Sequence, residues 1–209
     1  MASETSRIEA FSDGVFAIAI TLLILEIKIP PVTQAPLSTQ LLQQWPSYFA
    51  FLVSFLFIGI MWINHHRLFT HIRRADSGLL FLNLLLLLGV SALPFPTAVL
   101  AVHFSGSGAH AAAALFNGTC IAIAVFFNVL WRYAVSRKLL DHNSEEAAAA
   151  ISKQYAFGPL LYVVCLGLVW VSVFLSLALN GALALFFAFP AQHVTTRART
   201  DSHSPHDLR

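Results

Sequence analysis

The chain has 209 residues, of which 57% are hydrophobic and 11% charged, where a soluble domain carries about 25% charged residues. With a mean hydropathy of +0.73, this composition excludes an ordinary soluble domain and indicates an integral membrane protein. No Asp or Glu occurs in residues 77–140 or 155–200, so the net charge of +2 and pI near 8.7 arise in loops and tail, and do not point to nucleic-acid binding.

A helix spans a bilayer with about 20 mostly apolar residues. The first candidate span is 11–29, and its residues 11–27 read FSDGVFAIAITLLILEI. On a helix, Ile18, Thr21, Leu22 and Leu25 stand at i, i+3, i+4 and i+7 and share one face. Three aliphatics and a hydroxyl suit lipid or a partner helix. Repeated by rotation in an oligomer, the same face suits a narrow hydrophobic pore with a threonine ring. Thr21 has a third option, a bond to its own i−4 carbonyl. The segment is expected to be retained rather than cleaved as a signal peptide, because no small-residue cleavage site follows it. Glu26 near its far end either concentrates cations or pairs with Lys28, and the pairing is the simpler reading.

The second span, 46–64, runs into Asn64-His65-His66-Arg67, with His71 beyond. These histidines lack the i, i+4 spacing and the carboxylates of a metal site, so a hydrogen-bonded or solvated span terminus is expected and no metal. The third span, 78–101, carries Asn83 and is kinked by Pro94 and Pro96. The fourth is 111–132. Residues 136–154 contain a short interfacial helix with Ser144 as N-cap and acids in its first turn. The apolar run 156–191 is 36 residues long, too long for one crossing at about 1.5 Å per residue. Asn180-Gly181 is a turn signal that divides it into spans 156–178 and 181–194. Cys120 and Cys165 lie inside apolar runs and are expected to pack as small hydrophobes. Residues 1–194 then form one six-span domain, and 195–209 a disordered cytoplasmic tail.

Basic residues collect on the cytoplasmic side of a membrane protein. Six spans with both termini inside leave only Lys28 of the 12 Lys and Arg residues outside. Five spans would expose Arg197, Arg199 and Arg209 on the wrong side.

Carboxylates inside the spans are what a proton-coupled carrier commonly uses, and here only Asp13 and Glu26 lie in a span, both near its ends. No GxSxG motif and no interior acid to orient an imidazole are present, so an enzyme is not expected. Ser12 or Asp13 would cap the first helix. Alternatively Ser12, Asp13, His65 and Asn83 form a polar cluster that joins the first three spans at the inner leaflet, with Trp62 packed against it or standing in the interfacial aromatic belt.

Arg7-x3-Phe11-Ser12-Asp13 followed by AIAITLLILEI resembles the first helix of the transmembrane-protein-175 potassium-channel family. Trp62-x2-His65-x-Arg67-Leu68-Phe69 is similar to the end of that family's second helix. Leu82-Asn83-Leu84 with Leu93-Pro94 resembles its third. The likeness is specific over residues 7–96 and rests on hydrophobic pattern beyond. With one six-helix repeat the chain is similar to the prokaryotic members. The resemblance implies an all-α homotetramer in a prokaryotic inner (plasma) membrane, no cofactor, and a potassium pore lined by the first helix without a TVGYG loop. It places the gate at Ile18, the selectivity ring at Thr21, and apolar rings at Leu22 and Leu25. It assigns Arg7, Phe11, Ser12 and Asp13, supported by Trp62, His65 and Asn83, to the cluster that holds the pore helix. The expected partners are potassium ions, the lipid bilayer and further copies of the chain. A small-solute transporter and a non-conducting scaffold are the competing expectations.

Overall fold

The computed structural model describes residues 5–141 and 144–188, apart from the side chains of 145–147. The expected tail 195–209, residues 189–194 of the expected last span, and the side chains of the acids at 145 and 146 lie outside what the structure describes. The described chain is helical, without a β-strand.

Helix α1 spans Ser6–Leu22 and continues as a 3-10 turn through Leu23–Glu26. Its first turn holds Glu9, which complements the positive helix end. A short helix, α2, covers Leu37–Gln43. Helix α3 runs Trp45–Phe69, with proline in its first turn, where a missing N–H costs nothing. Helix α4, Ser77–Ala92, begins at Asp76, whose side chain accepts from the Leu79 N–H at 2.8 Å. Pro94 lacks an N–H and breaks the third span there, so α5 restarts at Pro94–His103. Helix α6 is Ala109–Ser136, and it ends with Lys138 in the left-handed region at φ 57°.

The C-terminal third departs from the expected boundaries. Helix α7, Glu145–Ala156, starts after Ser144 as expected, yet the Ser144 hydroxyl makes no cap bond and instead lies 3.3 Å from His71 Nδ1. Helix α7 runs on into α8, Gly158–Leu168, and the apolar stretch is Ala148–Leu168 rather than 156–178. The last helix, α9, is Val173–Ala188. The turn therefore lies at residues 169–172, and Asn180-Gly181 sits in mid-helix. Three side chains account for this. Ser172 Oγ accepts from the Leu175 N–H at 3.3 Å and opens α9. Ser176 Oγ donates at 2.6 Å to the Cys165 carbonyl near the end of α8, satisfying a group the helix leaves open. Asn180 is held in the helix by its bond to Asn117 Oδ1 on α6, 3.0 Å away. Gly181 faces α3, where a Cβ would meet Val53 at 4.0 Å.

Among the described residues, five stretches are long and apolar enough to cross a bilayer: Ser6–Glu26, Trp45–Phe69, Ser77–His103, Ala109–Ser136 and Ala148–Leu168, with α9 a shorter sixth. The core lies between them. Phe57, Phe116, Leu86, Ile123, Leu130 and Trp131 are all buried in it, and Cys120 and Cys165 are buried free thiols. Buried polar pairs join helices that have no carboxylates. Ser54 and Thr97 lie 2.8 Å apart, and Asn117 Nδ2 donates to Ser176 Oγ at 3.1 Å. At the end carrying residues 70–76 and 137–141, Ile72 and Leu140 form an isolated antiparallel bridge. Its flanking bonds run from Arg73 N–H to the Leu139 carbonyl (2.9 Å) and from Asp141 N–H to the His71 carbonyl (3.0 Å).

Candidate functional site

Helix α1 has two unlike faces. Ile8, Ser12, Phe16, Ala19 and, in the following turn, Leu23 are buried against α3, α4 and α5. Facing away, Ile18 is 62% exposed, Leu22 42% and Leu25 62%, and Phe11 and Thr21 are exposed with them. The expected stripe is thus one continuous surface that the protomer leaves uncovered. Thr21 Oγ1 donates its proton to its own helix, at 2.9 Å from the Ala17 carbonyl and 3.0 Å from that of Ile18. A hydroxyl used this way keeps its oxygen lone pairs free as acceptors on the exposed side.

The buried face is held by a directional chain of polar groups. Ser12 Oγ donates to the Ile8 carbonyl at 2.8 Å and accepts from Asn83 Nδ2 at 3.0 Å. Since the Asn83 amide nitrogen is spent on Ser12, its oxygen faces His65 Nε2 at 2.9 Å and must accept. A neutral His65 therefore carries its proton on Nε2. The His65 ring is fixed by stacking on Phe69 (centroids 4.4 Å apart) and by tilted contact with Phe16 (5.4 Å). One turn away, the Trp62 indole N–H donates to Asp13 Oδ1 at 2.8 Å. The structure so brings together Ser12, Asp13, Trp62, His65 and Asn83 from three spans. It leaves two expected members outside: Phe11 is 57% exposed on the open face, and Arg7 is exposed and not paired with Asp13.

The three histidines singled out as metal candidates go to three places. His65 joins Asn83, His66 Nδ1 lies 3.9 Å from Glu9 Oε2, and His71 meets Ser144. Among the described residues no group of three or more His, Cys, Asp or Glu side chains is placed to hold a metal ion. At the far end of α1, Lys28 Nζ lies 3.5 Å from Glu26 Oε2 and donates to the Leu25 carbonyl at 3.0 Å.

Sequence reasoning missed the Asn117–Ser176–Asn180 group, although amides in spans without carboxylates are a usable signal for interhelical bonding. It also missed Asp76. The Leu79 N–H holds this carboxyl below its ordinary value of 3.8; desolvation opposes that, and the Tyr133 hydroxyl and Arg137 reinforce it. Tyr133 donates to Asp76 Oδ2 at 3.0 Å and ties the start of α4 to α6.

Three comparisons bear on this geometry. The sequence model of the family described as "Endosomal/lysosomal potassium channel TMEM175" matches residues 7–94, the segment from α1 to the start of α5. A protein of Chamaesiphon minutus named as a potassium channel is 49% identical over 191 residues, covering 89% of this chain and 94% of its own length. One of Streptomyces collinus, also named as a potassium channel, is 47% identical over 199 residues, covering 93% and 97%. Among solved structures, the crystal structure of "a lysosomal potassium-selective channel TMEM175 homolog" from Chamaesiphon minutus superposes with a TM-score of 0.82 at 48% identity, covering 88% of this chain and 96% of that one. With near-complete coverage at this identity and a common backbone, this multi-pass membrane protein belongs to the TMEM175 family.

Proposed function

We propose that this chain is one subunit of a potassium channel, in which four copies surround an axis lined by α1. The observation that carries the reading is the two-sidedness of α1. One face is bolted to α3 and α4 through Ser12, Asp13 and their partners. The other is an uncovered row of Ile18, Thr21, Leu22 and Leu25. A single chain supplies one such helix, so symmetry mates are needed to enclose an axis. The potassium-channel names of the two bacterial relatives support the choice of ion.

On this reading Ile18 closes the path. A ring of isoleucine side chains admits no ordered water at close approach, and an ion is stopped by dewetting rather than by charge. About one helical turn further, roughly 4.5 Å along the axis, the Thr21 hydroxyls offer oxygen lone pairs to a partly dehydrated cation. Potassium gives up water more readily than sodium, so a neutral ring favours it modestly. Leu22 and Leu25 continue the apolar wall. Asp13, bound to the Trp62 indole, acts as an anchor rather than an ion ligand. The distribution of basic residues supports cytoplasmic termini, and the bacterial relatives support the plasma membrane of a prokaryote. The cargo is the permeant potassium ion, and the reading calls for no cofactor.

The test is flux from potassium-loaded liposomes. The Ile18→Asn channel, with a polar ring that stays wet, is expected to pass potassium at least severalfold faster than wild type. Equal flux through both would remove α1 from the pore.

A further inference from the structure

Between Asp13 and Arg67 the sequence holds two charged side chains, Glu26 and Lys28. Both lie at the end of α1 remote from the Asp13 anchor. The 3-10 turn ends at Glu26, and Ile27 takes an extended conformation (φ −80°, ψ 101°), which lets Lys28 fold back over the helix end. Its ammonium donates to the Leu25 carbonyl at 3.0 Å, one of the acceptors a helix terminus leaves open, and there it also meets the negative end of the helix dipole. The same ammonium stands 3.5 Å from Glu26 Oε2. Leu25 belongs to the exposed stripe, so the ion pair lies at the stripe's end. The Lys28 side chain is 71% exposed and that of Glu26 23%. No other charged residue occurs in 77–131 or 154–188, which contain the remaining segments at this end of the molecule. The field there is set by this pair, with His103 and His110 as the titratable neighbours in sequence at that end.

We propose that Lys28 sets cation throughput by masking Glu26 at the mouth of the pore. The inference rests on the pore reading above. Repeated about the axis, the pair makes a ring whose charges cancel, so the mouth neither concentrates nor repels potassium. Removing the ammonium leaves a ring of carboxylates, which raises the local potassium concentration. Removing the carboxylate leaves a ring of ammoniums, which lowers it. Lys28 is exposed, and its replacement disturbs no packed core.

Single-channel currents from reconstituted wild type, Lys28→Gln, Glu26→Gln and the double variant test this, each in low and high potassium chloride. Lys28→Gln is expected to raise the current of ions entering at this mouth by about two- to tenfold at 0.01 M, where the screening length is about 30 Å, and to match wild type at 1 M, where it is about 3 Å. Glu26→Gln should lower the low-salt current, and the double variant should return near wild type. On Lys28→Cys, an anionic thiol reagent applied from that side should raise the current, and a cationic one should restore the wild-type level. Charge variants that conduct as wild type at low salt would reduce the pair to a helix cap and overturn the proposal. An effect of Lys28→Gln that persists undiminished at 1 M would overturn it too, since the cause would be structural. Absence of current from wild type and from Ile18→Asn alike would defeat the pore reading itself, and this inference with it.

Discussion

Thr21 shows how one hydroxyl serves two purposes. Its proton goes to the backbone carbonyls of Ala17 and Ile18, which orients the side chain, while the oxygen remains an acceptor on the open face. Thr21→Val keeps the shape and deletes the oxygen. Bi-ionic reversal potentials are expected to show its potassium preference over sodium collapsed, or permeation blocked, with the protein assembling normally. An unchanged reversal potential and current would move the selectivity ring elsewhere. Asp13 is the counterpart on the anchored side. Asp13→Ala leaves the Trp62 indole N–H without its carboxylate acceptor. The loss is about 1 kcal/mol or less, below the range of a buried charge-assisted bond because this one is exposed. It should appear as partial dissociation on size-exclusion chromatography, and the protein that does assemble should keep its selectivity. A fully assembled variant with altered selectivity would make Asp13 an ion ligand instead.

At the scale of elements, the third span depends on the cap at its start. The Asp76 carboxylate binds the Leu79 N–H and the Tyr133 hydroxyl, so its pKa is lowered on folding from 3.8. A group lowered in this way adds stability that is fully present above its unfolded value and is lost as pH falls through its folded value. Wild type should therefore hold its thermal midpoint down to about pH 4 and lose it below. Asp76→Asn, which keeps an N-cap acceptor but cannot ionise, should show a flatter profile over that range. Thermal unfolding followed by circular dichroism would decide, and parallel profiles would exclude the linkage. The same scale explains the misplaced last turn. Asn-Gly is a turn signal only where nothing else holds the backbone. Here Asn117 on α6 receives the Asn180 amide, and Gly181 faces Val53 on α3 with room for a Cβ at ordinary contact distance. The actual break, at 169–172, is dressed in Val, Trp and Val and is marked only by the hydroxyls of Ser172 and Ser176.

At the scale of the whole molecule, the proposed channel reading gives the uncovered face of α1 to further copies of the chain. That face would suit lipid, yet the helix is fastened into the protomer by five polar side chains that fix its rotation. Four chains of 22.9 kDa give about 92 kDa, and that is the protein mass expected by light scattering in detergent. A monomer or dimer as the sole species would rule out the enclosed axis.

The membrane character, the helical class, the limits of the first four spans within a few residues and the polar partners of α1 were all legible in the amino-acid order. Apolar run length reports burial in lipid directly, and polar residues in carboxylate-free spans have few possible partners. The resemblance at Phe11-Ser12-Asp13 and Trp62-x2-His65 directed attention to the ends of α1 and α3 where Asp13 and Trp62 meet. Only the tertiary structure decided which of these residues meet. It joined Asn83 to both Ser12 and His65, gave Trp62 to Asp13, and left Arg7 and Phe11 outside. It also placed the α8–α9 turn at 169–172 and kept Asn180 in mid-helix. The physical reason is one of range. Hydrophobic periodicity and composition are local properties that a sequence displays openly. A hydrogen bond between helices, such as Asn180 to Asn117 across 63 residues, exists only once packing has brought the two amides together, and it then overrides the local turn preference.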